Sequence, residues 1–168
     1  MNRKESMHQH VVETILPSFA ENLKNEGIIS DYNRKSFRVE GVTLLRKHTF
    51  TIRPDLLLIL PDKKRFLVEA VNPRDPKRFL GEITCVQLLG SQKLIDAAII
   101  FILPLGPEHP SAPEKGVGLS LAAAITGIQQ VISSKIPTEI LSWSTNEDFS
   151  YANLKNFILS RRLSLWGT

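Results

Sequence analysis

Two runs of the chain, Leu-Leu-Leu-Ile-Leu at 56–60 and Ala-Ala-Ile-Ile-Phe-Ile-Leu at 97–103, are apolar at every position. A strand with one wet face alternates polar and apolar residues, whereas an unbroken run is covered on both sides. These runs therefore predict a sheet with helices on its faces. Between them lies Arg-Phe-Leu-Val-Glu-Ala-Val at 65–71, in which Glu69 interrupts a core-like strand. Burying an unpaired carboxylate is costly, so Glu69 needs a partner: a metal ion, or a structural cation such as Arg53 or Arg74.

The rest of the chain supplies the layers around those strands. Val12, Ile15, Leu16, Phe19 and Leu23 recur at helical spacing, which predicts a helix over about 4–25, kinked or divided at Pro17 and ending at Glu26-Gly27. Extended segments follow at about 36–45, 51–60 and 65–71, the last two joined by a Pro61-Asp62-Lys63-Lys64 turn. Pro76 suits the first turn of a helix reaching about residue 95, with Phe79, Ile83, Val86 and Leu94 inward. After the strand at 97–103 comes a loop at 104–118 with four prolines and three glycines, then an apolar helix over about 119–133. A short strand over 138–143 and a closing helix over about 151–162 complete the chain.

The element order is thus α-β-β-β-α-β-α-β-α, an α/β protein with a mixed central sheet flanked by helices. With 168 residues and 42% hydrophobic content, one domain spanning 1–168 accommodates it. Its core covers about 4–103 and a C-terminal α-β-α elaboration covers about 104–168. The single cysteine, Cys85, cannot form an internal disulfide, and the apolar stretches are too short or too interrupted to span a bilayer. A cytoplasmic protein with no membrane role is expected. Cys85 reads as a small core residue, and the four histidines show no metal-ligand spacing.

The geometry of the 51–71 hairpin decides whether Glu69 has a carboxylate neighbour. Pairing Asp55 with Glu69 or with Val71 puts both acids on one face, whereas pairing it with Ala70 puts them on opposite faces. In the favourable registers their Cβ atoms stand roughly 5–8 Å apart, close enough to share a divalent ion. Hard oxygen ligands favour Mg²⁺ or Mn²⁺ over zinc, and such an ion activates water for phosphodiester hydrolysis.

With Arg53-Pro54-Asp55 opening the second strand and Val68-Glu69-Ala70-Val71 in the third, the α-β-β-β-α-β order resembles the PD-(D/E)xK nuclease superfamily. This is the restriction-endonuclease-like fold, shared by Holliday-junction resolvases and many DNA-repair nucleases. The resemblance implies Asp55 and Glu69 as metal ligands and catalytic acids. It further implies Gln87 on the following helix near the site, and Glu13 as a first-helix acid. The family's lysine, two residues beyond the strand acid, would fall at position 71, where this chain has Val71. Lys77 and Arg78 are the nearest substitutes for that cation, with Lys93 farther along. Otherwise the protein is a catalytically inactive member that binds nucleic acid or a protein partner.

Charge distribution points the same way. Residues 1–78 hold 15 basic and 10 acidic side chains, whereas residues 79–154 hold 3 and 7. One part of the molecule is basic, as a nucleic-acid-binding face would be. Arg53, Arg74, Lys77 and Arg78 are the expected phosphate contacts, with DNA as the expected partner. A homodimer is expected by analogy with enzymes that cut two strands.

Overall fold

The structure, a computed structural model, describes residues 7–42, 47–71, 76–103, 136–143 and 146–164. The expected loop at 104–118, the expected helix over 119–133, and Arg74 lie outside the described residues. The first helical run, α1, occupies 7–25 and is continuous: Met7–His10 is α-helical, Val11–Ile15 is a π-helical turn, and Leu16–Asn25 is α-helical again. Pro17 lacks an N–H, and its ring crowds the preceding turn. The wide turn just before it, in which the Leu16 N–H reaches the Val11 carbonyl, accommodates the ring without breaking the run. The expected division at Pro17 is therefore absorbed by a π-turn.

Gly27 ends α1. Its N–H donates to the Lys24 carbonyl and the Ile28 N–H to the Leu23 carbonyl, both at 2.9 Å. Gly27 has φ +70°, the left-handed conformation this closure requires.

Five strands form the main sheet, in spatial order β1 (Asp31–Asn33), β4 (Leu56–Ile59), β5 (Arg65–Val71), β6 (Ala97–Ile102) and β7 (Thr138–Ser142). β1, β4 and β5 pair antiparallel, and β5, β6 and β7 pair parallel. β2 (Phe37–Val42) and β3 (Lys47–Ile52) pair only with each other, as a separate two-stranded ribbon.

This corrects the expected strands. The segment at 36–45 does not join the main sheet, and the segment at 51–60 is broken at Arg53-Pro54-Asp55, its halves belonging to different sheets. The main sheet's first strand is instead the three-residue β1, whose Tyr32 is its only large apolar side chain. An alternation test finds nothing in three residues.

Side chains of the sheet divide by parity. Leu56, Leu58, Phe66, Val68, Ala70, Ala97, Ile99 and Phe101 pack against α1 and against α3 (Glu147–Ser164). Trp143, just after β7, sits among them, edge-on to Phe101 at 5.2 Å and stacked on Phe19 at 5.9 Å. The opposite face carries Leu57, Leu67, Val71, Ala98, Ile100 and Ile102 and is covered by α2 (Pro76–Ser91) through Phe79, Ile83, Val86 and Leu89. Val39 of the ribbon joins this second core.

Two helix ends differ from expectation. α2 stops at Ser91, short of residue 95, because the Leu94 N–H turns back to the Leu89 carbonyl and Lys93 takes a left-handed φ of 56°. α3 starts at Glu147, four residues earlier than expected. There the Asn146 side chain caps its first turn by accepting the Asp148 and Phe149 N–H groups at 3.1 and 3.4 Å. No described helix is long and apolar enough to cross a membrane.

The closure of α1 has a measurable consequence. An added Cβ at Gly27 meets no atom within 4 Å, so Gly27→Ala pays only left-handed backbone strain. It should lower stability by about 1 kcal/mol, or about 2–4 °C in the thermal midpoint, read by calorimetry or denaturant titration.

Candidate active site

The β4–β5 register runs Leu56↔Val68, Leu57↔Leu67, Leu58↔Phe66 and Ile59↔Arg65. Continued by one residue, it sets Asp55 opposite Glu69, one of the two registers that place both acids on one face. Parity assigns that face to the α2 side, shared with Leu57, Leu67 and Val71. Glu69 is 8% exposed, in the central strand of the sheet.

Main-chain groups hold the two acids in place. β4 begins only at Leu56, with Pro54 and Asp55 outside the ladder, so the Ala70 N–H has no partner in the β4 ladder. It donates instead to Asp55 Oδ2 at 2.9 Å. The Asp55 N–H in turn donates to the Glu69 carboxylate, and the two carboxyl groups lie within hydrogen-bonding reach of each other. The acids thus exchange backbone and side-chain contacts across the end of the hairpin.

Glu69 is pushed well above the usual glutamate range. Burial is the largest cause, followed by the negative charges of Asp55 and of Glu82 on α2 and by the Asp55 hydrogen bond. Cys85, one turn beyond Glu82, is also raised, by burial and by the Glu82 and Glu69 carboxylates. Its thiol is therefore harder to ionise than that of a free cysteine. On the other flank, His8 of α1 brings Nε2 to 3.7 Å from Asp55 Oδ2.

Of the residues expected at the site, Asp55 and Glu69 meet. Val71 is 4% exposed and packs into the apolar cluster beside Phe79; it supplies no cation. Gln87 stands about 140° round the helix from Glu82, and its Nε2 is buried without a hydrogen-bond partner. Glu13 is exposed and accepts a hydrogen bond from Gln9 at 3.2 Å, so α1 contributes His8 to the site instead. Lys93 lies at the far end of β5, where its carbonyl accepts from the Arg65 guanidinium at 2.7 Å. Lys77 and Arg78 occupy the first turn of α2. Arg53 is exposed, two residues before Asp55.

Glu82 was legible in part. It falls on the apolar stripe Phe79, Glu82, Val86, Leu89 at intervals of three and four, and a charge on such a stripe signals burial near a partner. His8 carries no such signal, since only the packing of α1 across the sheet brings it near Asp55.

The donor set, carboxylate oxygens with an excess of negative charge, suits a hard divalent cation. Among the described residues, however, no three His, Cys, Asp or Glu side chains are placed to hold one together. Asp55 and Glu69 could supply two carboxylate ligands, and water would complete the shell. No protein-family profile, curated protein or solved structure matches the chain.

Because the folded protein binds the Glu69 proton more tightly than the unfolded chain, ionising Glu69 costs stability. That cost is full above the raised native value and fades as pH falls through it toward the ordinary value of 4.5. Without metal, Glu69→Gln should therefore raise the thermal midpoint at pH above the raised Glu69 value and change it much less near the ordinary glutamate value of 4.5. Calorimetry across that range checks the sign.

Proposed function

We propose that the chain is a PD-(D/E)xK-type protein with a restriction-endonuclease-like core, and that it hydrolyses phosphodiester bonds of DNA using a divalent metal. The observation that carries this reading is the contact of the two acids at the end of the β4–β5 hairpin, with Asp55 Oδ2 accepting the Ala70 N–H at 2.9 Å and the Asp55 N–H donating to the Glu69 carboxylate. Connectivity supports it: α1, β1, β4, β5, α2 and β6 follow in the order α-β-β-β-α-β, with three antiparallel strands and then a parallel one. The ribbon β2–β3 is an insertion between the first and second of these strands.

In this reading Asp55 and Glu69 hold Mg²⁺ or Mn²⁺. The ion would supply Lewis acidity and an activated water. The protein's own part is positional. The Ala70 N–H orients Asp55 and the Asp55 N–H orients Glu69, so both carboxylates are preset by backbone groups rather than by mobile side chains. Glu82 adds negative potential on the α2 side, which strengthens attraction for a cation. Val71 neither positions water nor offsets charge, and Lys77 or Arg78 in the first turn of α2 takes that role. Arg53 and Arg74 contact the phosphate backbone.

A second reading, a non-catalytic member that binds nucleic acid without cutting it, is favoured by Val71 being buried in the apolar cluster. Incubation of the protein with duplex DNA under Mg²⁺ or Mn²⁺ separates the two. In the first reading, Asp55→Ala abolishes hydrolysis and Glu69→Gln lowers it by at least about 100-fold, a loss of roughly 2.7 kcal/mol of transition-state stabilisation. Cleavage that survives both substitutions unchanged removes the mechanism. Salt-dependent binding with no cleavage under either ion assigns the second reading.

A further inference from the structure

We propose that the end of the sheet opposite the carboxylate pair is a second contact surface for a nucleic-acid phosphate backbone, centred on Lys63 and Lys93. The surface rests on nucleic acid being the partner, not on hydrolysis.

Two turns meet there. In the β4–β5 turn, the Lys63 N–H closes on the Leu60 carbonyl at 2.9 Å, the Asp62 side chain accepts the Lys64 N–H at 3.2 Å, and Lys63 has φ 68°. In the turn after α2, the Lys93 N–H closes on the Gly90 carbonyl at 2.9 Å, and Lys93 has φ 56°. Arg65 ties the turns together. Its Nη2 donates to the Lys93 carbonyl at 2.7 Å, and it exchanges main-chain contacts with Asp96, giving an N–H to Oδ2 at 2.8 Å and receiving the Asp96 N–H at 2.9 Å.

Among the described residues, Lys63 and Lys93 are the only non-glycine residues with positive φ. Glycine is the usual occupant of both positions, the bulge of a hairpin turn and the left-handed closure of a helix, and would relieve about 1 kcal/mol at each. Both are lysine instead. Both are exposed, and neither pairs with a carboxylate among the described residues.

The charges around them do not cancel. Lys64 pairs with Asp62 at 3.2 Å, and the Arg65 guanidinium is directed at a carbonyl rather than an acid. Lys63, Lys64, Arg65 and Lys93 thus stand against Asp62 and Asp96. The neighbouring Lys24–Asp31 pair, at 3.3 Å, balances itself. Four residues of β5 separate Arg65 from Glu69, about 13 Å, or roughly four nucleotide steps of a duplex strand. One bound duplex can therefore reach the carboxylate pair and this surface together.

The double variant Lys63→Gly/Lys93→Gly tests the proposal, because it removes both charges while relieving strain. Its thermal midpoint should equal or exceed that of the parent. Binding of a fluorescent DNA duplex, measured in EDTA across a salt series, should weaken about tenfold or more at about 0.1 M salt, with a log–log slope shallower by about 1.8. The double Lys→Gln variant should show the same loss. A folded double variant with unaltered affinity and slope overturns the proposal, as does a parent protein that does not bind the duplex. Metal-dependent cleavage is read separately: its loss in Asp55→Ala with the slope unchanged bears on the carboxylate pair alone.

Discussion

The pairing of β4 with β5 is the constraint from which the rest follows. Because side chains alternate along a strand, a slip of one residue would send Asp55 to the face packed by α1 and leave Glu69 alone under α2. The register is held from both ends. At the turn, Pro61 and Asp62 set a tight reversal closed by the Lys63 N–H; at the far end, Asp55 occupies the Ala70 N–H. The apolar content of Leu57, Leu67 and Val71 on one side and of Leu56, Leu58, Phe66 and Val68 on the other makes any other pairing expensive.

That arrangement also explains how a central strand tolerates a glutamate. An isolated buried carboxylate is unfavourable, and a second beside it makes matters worse unless a proton or a cation intervenes. The chain places Asp55, Glu69 and the field of Glu82 together. His8 brings a side-chain nitrogen to 3.7 Å from Asp55 Oδ2, approaching from the layer of α1. Stability alone favours an apolar residue at position 69, so the glutamate there stands against the interest of the core.

Much of this is legible in the sequence alone. Unbroken apolar runs at 56–60 and 97–103 announced interior strands, and Glu69 stood out because it broke that pattern. Glu26-Gly27 announced the end of α1. The failures have physical causes. β1 is too short for periodicity, and its identity comes from pairing with β4. The segments at 36–45 and 51–60 do read as extended, but local pattern carries no information on which sheet a strand enters. Of the two outcomes expected at Pro17, a kink or a division, the division did not occur, because a π-turn costs less than abandoning the apolar stripe of α1. Within the site, the hairpin acids were visible as neighbours in sequence, whereas Glu82 and His8 arrive by tertiary packing of separate helices.

The break at Arg53-Pro54-Asp55 has a mechanical side. β3 belongs to the ribbon and β4 to the main sheet, and these three residues alone connect them, with Pro54 buried at the junction. The ribbon is anchored to the body through Val39, Phe37 and Ile52 against the α2 core. The seating of the ribbon and the position of Asp55 are thus joined through three residues of backbone, whereas Glu69 takes its position from the central strand.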